Sequence, residues 1–146
     1  MKKLISVLFA SLFCACMIFA QSKTVPSVGL TDSDVKNFAK NYSKIENYLD
    51  EIGDSDTEVL KTEAFLETMG ISGPNRIHKV FVITIAMTPA VAEYEMQKDP
   101  EAAALLKSMG LDPLAQVKAQ IDETVNEKDY SVVMANSKLL QKIVDK

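Results

Sequence analysis

Two hydrophobic patterns divide the chain. The first is unbroken: Leu4 to Ala20 is a run of 17 residues with no charged side chain, preceded by Lys2 and Lys3. The second begins after Thr31 and is periodic. Val35, Phe38, Tyr42, Ile45, Leu49 and Ile52 recur at spacings of 3, 4, 3, 4 and 3. That rhythm predicts an amphipathic helix of about five turns. Thr31-Asp-Ser-Asp34 before it has the form of a capping box, with acids facing the positive end of the helix dipole.

Further helices follow from the same logic. Ser55-Asp-Thr-Glu58 predicts a second start, and Met69-Gly70 a stop with glycine in the left-handed position. Gly73-Pro74 predicts a third start with proline at the first helical position. Asp99-Pro100 and Asp112-Pro113 repeat that signal, and Gly110 closes the fourth helix. A last helix is expected from about Glu127 to Val144, with Val133, Leu140, Ile143 and Val144 inward.

VFVITIAM, Val80 to Met87, is rich in β-branched residues and reads locally as a buried strand. No second strand is available to pair with it, and a lone strand leaves its backbone unsatisfied. Helix is the better reading, with Ile77, Phe81, Thr84, Met87, Val91 and Tyr94 on one stripe. Being apolar nearly all round, it is expected at the centre. Pro89 has no N–H for the carbonyl of Ile85, which predicts a kink. The expected fold is all-α: a compact bundle of five to six helices around a central apolar helix at about 74–97, kinked near Pro89. It follows an N-terminal signal helix. The segments expected are a signal peptide at 1–20, a flexible Pro/Gly-punctuated lead-in at 21–30, and one helical domain at 31–146.

AFLETMGI (64–71) and ALLKSMGL (104–111) match in residue type over eight positions, 40 residues apart. A duplicated helical unit is one explanation, but two copies do not make a solenoid. Two similar glycine-ended corners built by the same capping chemistry are the simpler one.

The opening run has the layout of a secretory signal: a positive start, then an apolar core. A retained anchor is the alternative, since 17 residues reach the bottom of the spanning range of about 17–25. Small Ala20 before Gln21 offers a cleavage site. Cys16, preceded by Ala15, offers a lipidation site, although Phe13 and Cys14 fit it poorly and Met17 to Phe19 make an apolar tether. Cleavage between Ala20 and Gln21 is the favoured expectation. It leaves 126 residues with 14 basic against 20 acidic side chains, a net charge of −6, and no cysteine. Such a surface argues against nucleic-acid binding. An exported domain without disulfides must be held by packing.

Candidate chemistry is sparse. His78 is the sole histidine, flanked by Ile77 and Lys79, with no mature cysteine as partner. Zinc is therefore not expected, and an ordinary helix-surface residue is the simpler reading. Asp50, Glu51, Asp54, Asp56 and Glu58 crowd one interhelical turn. An EF-hand starting at Asp54 would need glycine at Val59 and an acid at Phe65, so a solvated turn is favoured over a calcium loop. Glu93, Glu95, Asp99 and Glu101 form a second acidic group without the defined cleft that paired-carboxylate chemistry requires. No P-loop, G-x-S-x-G, H-E-x-x-H or dinucleotide fingerprint occurs. Met69, Met87, Met96, Met109 and Met134 suit an adaptable apolar pocket, or the gap-filling of a small core.

GLTDSDVKNFAKNY (Gly29–Tyr42) and KDYSVVMANSKLLQKIVD (Lys128–Asp145) resemble segments of small exported all-α bacterial proteins of unassigned function. The resemblance lends no catalytic or binding residue. The expected function is a non-enzymatic binding or accessory module of the bacterial envelope, periplasmic or extracellular, with no cofactor and no metal. A protein partner in the envelope is expected, and membrane contact only through Cys16 or a retained leader. A carrier of a small apolar ligand in a Met-lined pocket is the alternative.

Overall fold

The computed structural model describes residues 25–52, 56–110 and 113–144. The expected signal peptide, with Cys16 and Ala20, lies outside these residues, as do Gln21 and, in the acidic turn, Asp54. Among the described residues the structure is all-helical, with seven helices and no strand: α1 Asp32–Glu51, α2 Asp56–Thr68, α3 Arg76–Lys98, α4 Pro100–Ser108, α5 Pro113–Thr124, α6 Glu127–Ala135 and α7 Ser137–Val144. None of these helices is long and apolar enough to cross a membrane.

In α1 the capping box is complete. Thr31 Oγ1 accepts from the Asp34 amide (3.2 Å), and the Asp34 carboxylate accepts from the Thr31 amide (3.0 Å). Val35, Phe38 and Ile45 are buried, and Tyr42 packs edge-on against Phe38 with ring centroids 5.6 Å apart. The stripe leaves the core at Leu49, which is 36% exposed. Helix α2 ends in a Schellman motif. Ile71 N donates to Leu66 O (3.0 Å) and Gly70 N to Glu67 O (2.9 Å), with Gly70 at φ +85°. Leu66 and Ile71, the pair such a motif brings together, are both buried.

The segment that reads locally as a strand is the middle of α3, which touches all six other helices. Its buried face differs from the expected stripe. Phe81 is 39% exposed and Thr84 only half-buried, its hydroxyl donating to Val80 O. Of that stripe Met87 is buried and Ile77 and Val91 pack on the core, but Lys79, Ile83, Ala86 and Ala90 are buried beside them. The reason is a polar anchor. Lys79 is buried in an ion pair with Asp34, which fixes the rotation of the helix.

The start of α3 also differs. Pro74 is not its first residue, because Asn75 intervenes as N-cap in the left-handed region, at φ 58°. The Asn75 side chain makes no capping bond. Glu63 of α2 supplies the cap, accepting from the amides of Arg76 (3.1 Å) and Ile77 (3.0 Å). The proline starts of α4 and α5 are as expected.

The expected last helix is two helices, which with α1–α5 exceeds the five to six anticipated. Asn136 breaks it. This residue is buried, and its amide donates to Val132 O (3.0 Å) and across to Asp32 Oδ1 (2.8 Å). Val133 and Leu140 are buried and Ile143 packs against the core, while the Val144 side chain lies outside the described set.

Residues 25–30, read as part of a flexible lead-in, have no regular secondary structure but are bonded to residues about a hundred positions later. Asp129 in the first turn of α6 accepts from Ser27 Oγ (2.9 Å), Val28 N (2.8 Å) and Leu30 N (2.9 Å). Asn126, the N-cap of α6, donates to Val25 O (2.7 Å). Leu30 is buried and Val28 packs on the core.

The two helix-ending glycines give a matched test. Gly70 and Gly110 both have positive φ, but a Cβ on Gly70 would sit 2.7 Å from Asn37 Nδ2, while one on Gly110 meets nothing within 4 Å. G110A is expected to cost about 1 kcal/mol, the left-handed penalty alone. G70A should cost about 2 kcal/mol or more, since it also disturbs the Asn37 bond. Urea unfolding followed by circular dichroism reads the order. Equal losses would show that the Asn37 contact carries no weight.

Candidate functional site

The turn from α2 to α3, residues 69–75, is tied down by side chains from its neighbours. Four successive carbonyls each accept from a side chain: Met69 O from Asn41 Nδ2 (3.0 Å), Gly70 O from Asn37 Nδ2 (2.9 Å), Ile71 O from Arg76 Nε (3.0 Å) and Ser72 O from Lys79 Nζ (2.7 Å). Asn37 and Asn41 are one helical turn apart, so one face of α1 caps the end of α2. Arg76 is held in turn by Glu67 (2.9 Å) and, at 3.6 Å, by Glu63.

Beneath the turn lies Asp34, with no exposed surface. Its Oδ1 accepts from Ser72 N (2.7 Å) and Ser72 Oγ (2.9 Å). Its Oδ2 accepts from Thr31 N (3.0 Å), Thr31 Oγ1 (2.7 Å) and Lys79 Nζ (2.9 Å). Burial pushes the carboxyl pKa up, but the Ser72 amide, the Thr31 and Lys79 side chains and the Ser72 hydroxyl outweigh it. The net result is a pKa lowered to about 2. Lys79 is 4% exposed and spends its ammonium on this carboxylate and on Ser72 O.

This chemistry positions rather than reacts. A carboxylate with five donors and a pKa near 2 is a poor general base. The cluster fixes residues 69–72 and so anchors, through Ser72, the exposed tip Ser72-Gly73-Pro74-Asn75. Gly73 has φ +73° and Asn75 φ 58°, the left-handed region that glycine enters freely and asparagine more readily than other side chains. Left-handed Asn75 stores on the order of 1 kcal/mol, repaid by the surrounding bonds.

The residues singled out by sequence fall elsewhere. His78 is exposed although its neighbour Lys79 is buried. Glu93, Glu95, Asp99 and Glu101 are exposed on the end of α3 and the start of α4. Asp50 and Glu51 are exposed, and Glu58 pairs with Lys61 (3.0 Å). Among the described residues no group of three or more His, Cys, Asp or Glu is arranged to hold a metal ion. Met87 is in the core, Met69 packs on it, Met96 and Met134 are half-buried, and Met109 is exposed.

Sequence reasoning took Asp34 for a cap alone and missed Lys79, Asn37 and Asn41. The available signal was a lysine inside a helix apolar on nearly every side, and two asparagines four residues apart facing a glycine stop. Comparison with family models, with curated proteins and with solved structures finds no match for this chain.

Because the folded pKa of Asp34 lies below the unfolded value of 3.8, its contribution is present above about pH 4 and is lost as pH falls toward 2. The linkage is worth about 2 kcal/mol. D34N strands a buried ammonium and is expected to cost about 3–5 kcal/mol at pH 7. K79M leaves the carboxylate its four other donors and should cost less. Urea midpoints of the three proteins between pH 2 and pH 7 measure both effects. An acid limb equally steep in D34N would exclude Asp34 as its source.

Proposed function

We propose that this chain is an exported, non-enzymatic binding or accessory module that presents the rigid tip 72–75 to a protein partner in the bacterial envelope. The observation that carries the reading is the clamped turn: buried charge and four side-chain donors are spent on holding an exposed loop still. A preorganised loop loses little entropy on binding, and loops on rigid scaffolds are where recognition commonly resides. The buried carboxylates Asp34 and Asp129 are both engaged by backbone amides, which supports a role outside catalysis.

Export is supported by Lys2, Lys3 and the apolar run from Leu4 to Ala20. Signal cleavage falls between Ala20 and Gln21 in this reading, and the acidic mature chain stays in the periplasm or outside the cell. The reading also includes a bend of α3 at Pro89, supported by the missing N–H opposite the Ile85 carbonyl.

Two measurements test it. Intact mass of the protein from native cells is expected to begin at Gln21, and a diacylglyceryl-modified Cys16 would replace free release by tethering. Once the leader is gone the chain has no cysteine, so single cysteines carrying a photo-cross-linker are clean probes. N75C at the tip is expected to give one discrete adduct in intact envelopes, and S43C on the exposed face of α1 none. Adducts from both positions, or from neither, would sink the loop as the binding element.

A further inference from the structure

The sequence echo AFLETMGI and ALLKSMGL is a structural echo. Met69 N donates to Phe65 O (3.1 Å), and Met109 N to Leu105 O (3.1 Å). Thr68 Oγ1 donates to Phe65 O (2.6 Å), and Ser108 Oγ to Leu105 O (2.7 Å). Gly70 and Gly110 follow with φ +85° and +73°. The two corners share these bonds and the left-handed glycine that follows them.

They differ in what lies over them. At the first corner α1 is the cover. Tyr48 stacks on Phe65 with centroids 3.9 Å apart, and Asn41 and Asn37 bond the carbonyls of Met69 and Gly70. At the second corner Leu105 is 62% and Met109 64% exposed, and Gly110 has nothing near the place its Cβ would take. Leu105 and Met109 are four residues apart, hence on one ridge, and Glu101 continues it by another turn. Residues 93–110 carry four acids against two lysines.

We infer that the α4 corner is a docking surface for one amphipathic helix of a partner protein, related to it as α1 is to the α2 corner. The geometry at the first corner specifies the occupant. It presents an aromatic or large apolar side chain over Leu105 and an amide side chain near the Met109 and Gly110 carbonyls. Basic residues on its flank complement the acids around α4. Docking of this kind reads as helix-in-groove recognition with anchors at helical spacing. The inference extends the binding-module reading to a second face. It uses none of residues 72–75, so the two fail separately.

The covering pattern supplies its own probe: a fluorescein-labelled peptide copying residues 32–51 with E46K, D50K and E51K. Titrated with the mature chain, its anisotropy is expected to rise. The affinity should fall at least tenfold for the L105E and M109E chains and when N37A and N41A are placed in the peptide, and it should weaken with added salt. Unchanged circular dichroism of the two chain variants shows that they are folded, as expected for exposed positions. No binding, or binding that L105E and M109E leave untouched, overturns the inference. So does a mature-chain dimer that L105E dissociates, which gives the ridge to a second copy. Leu105-dependent binding to phosphatidylglycerol vesicles without peptide binding gives it to a lipid surface, and overturns it too.

Discussion

The buried pair of Asp34 and Lys79 is the constraint on which the arrangement of the first three helices depends. One carboxylate closes the N-terminus of α1, holds the amide and hydroxyl of Ser72, and faces the ammonium that rotates α3. A buried ion pair is seldom stabilising by attraction alone, because removing two charges from water costs several kcal/mol each. Here further hydrogen bonds offset that cost, and the return is specificity. The rotation of α3 and the path of the 69–75 turn are those that bring Lys79 and Ser72 to Asp34, beside the two Thr31 donors of its own cap. Apolar side chains around a nearly all-apolar helix would accept several rotations.

Asp129 repeats the device at the other end of the domain. Both aspartates are the third residue of their helix, three beyond the N-cap. The macrodipole favours a carboxylate there, and in each case a neighbouring segment is bonded to it. For Asp34 that segment is the α2–α3 turn, and for Asp129 it is the stretch 27–30. With no cysteine among the described residues, these two carboxylates act as crosslinks would, joining parts of the chain distant in sequence.

What was legible beforehand follows from the range of the interactions. The Thr31 box, the Gly70 stop, the Val35–Phe38–Ile45 stripe and the prolines opening α4 and α5 are local chemistry, and each was read correctly. The helical state of VFVITIAM was legible by elimination. The rotation of α3 was not, because Lys79 looks polar until Asp34, 45 residues away, is known to meet it. The break at Asn136 was hidden for the same reason, since its side chain answers to Asp32. Glu63 capping α3 from another helix leaves no trace in the residues before Arg76. The turn at 69–75 was therefore seen as punctuation, while the side chains that immobilise it lie on three different helices.

The bonds between residues 25–30 and α6 also set an order of events in time. Val28 and Leu30 lie about a hundred positions ahead of Asp129, at separations of 101 and 99. A chain delivered from its N-terminus, by ribosome or through a membrane pore, exposes Val28 and Leu30 about a hundred residues ahead of Asp129. Until then Val28 and Leu30 lack the carboxylate on which they close. A chain built this way keeps the stretch 27–30 open until Asp129 has arrived.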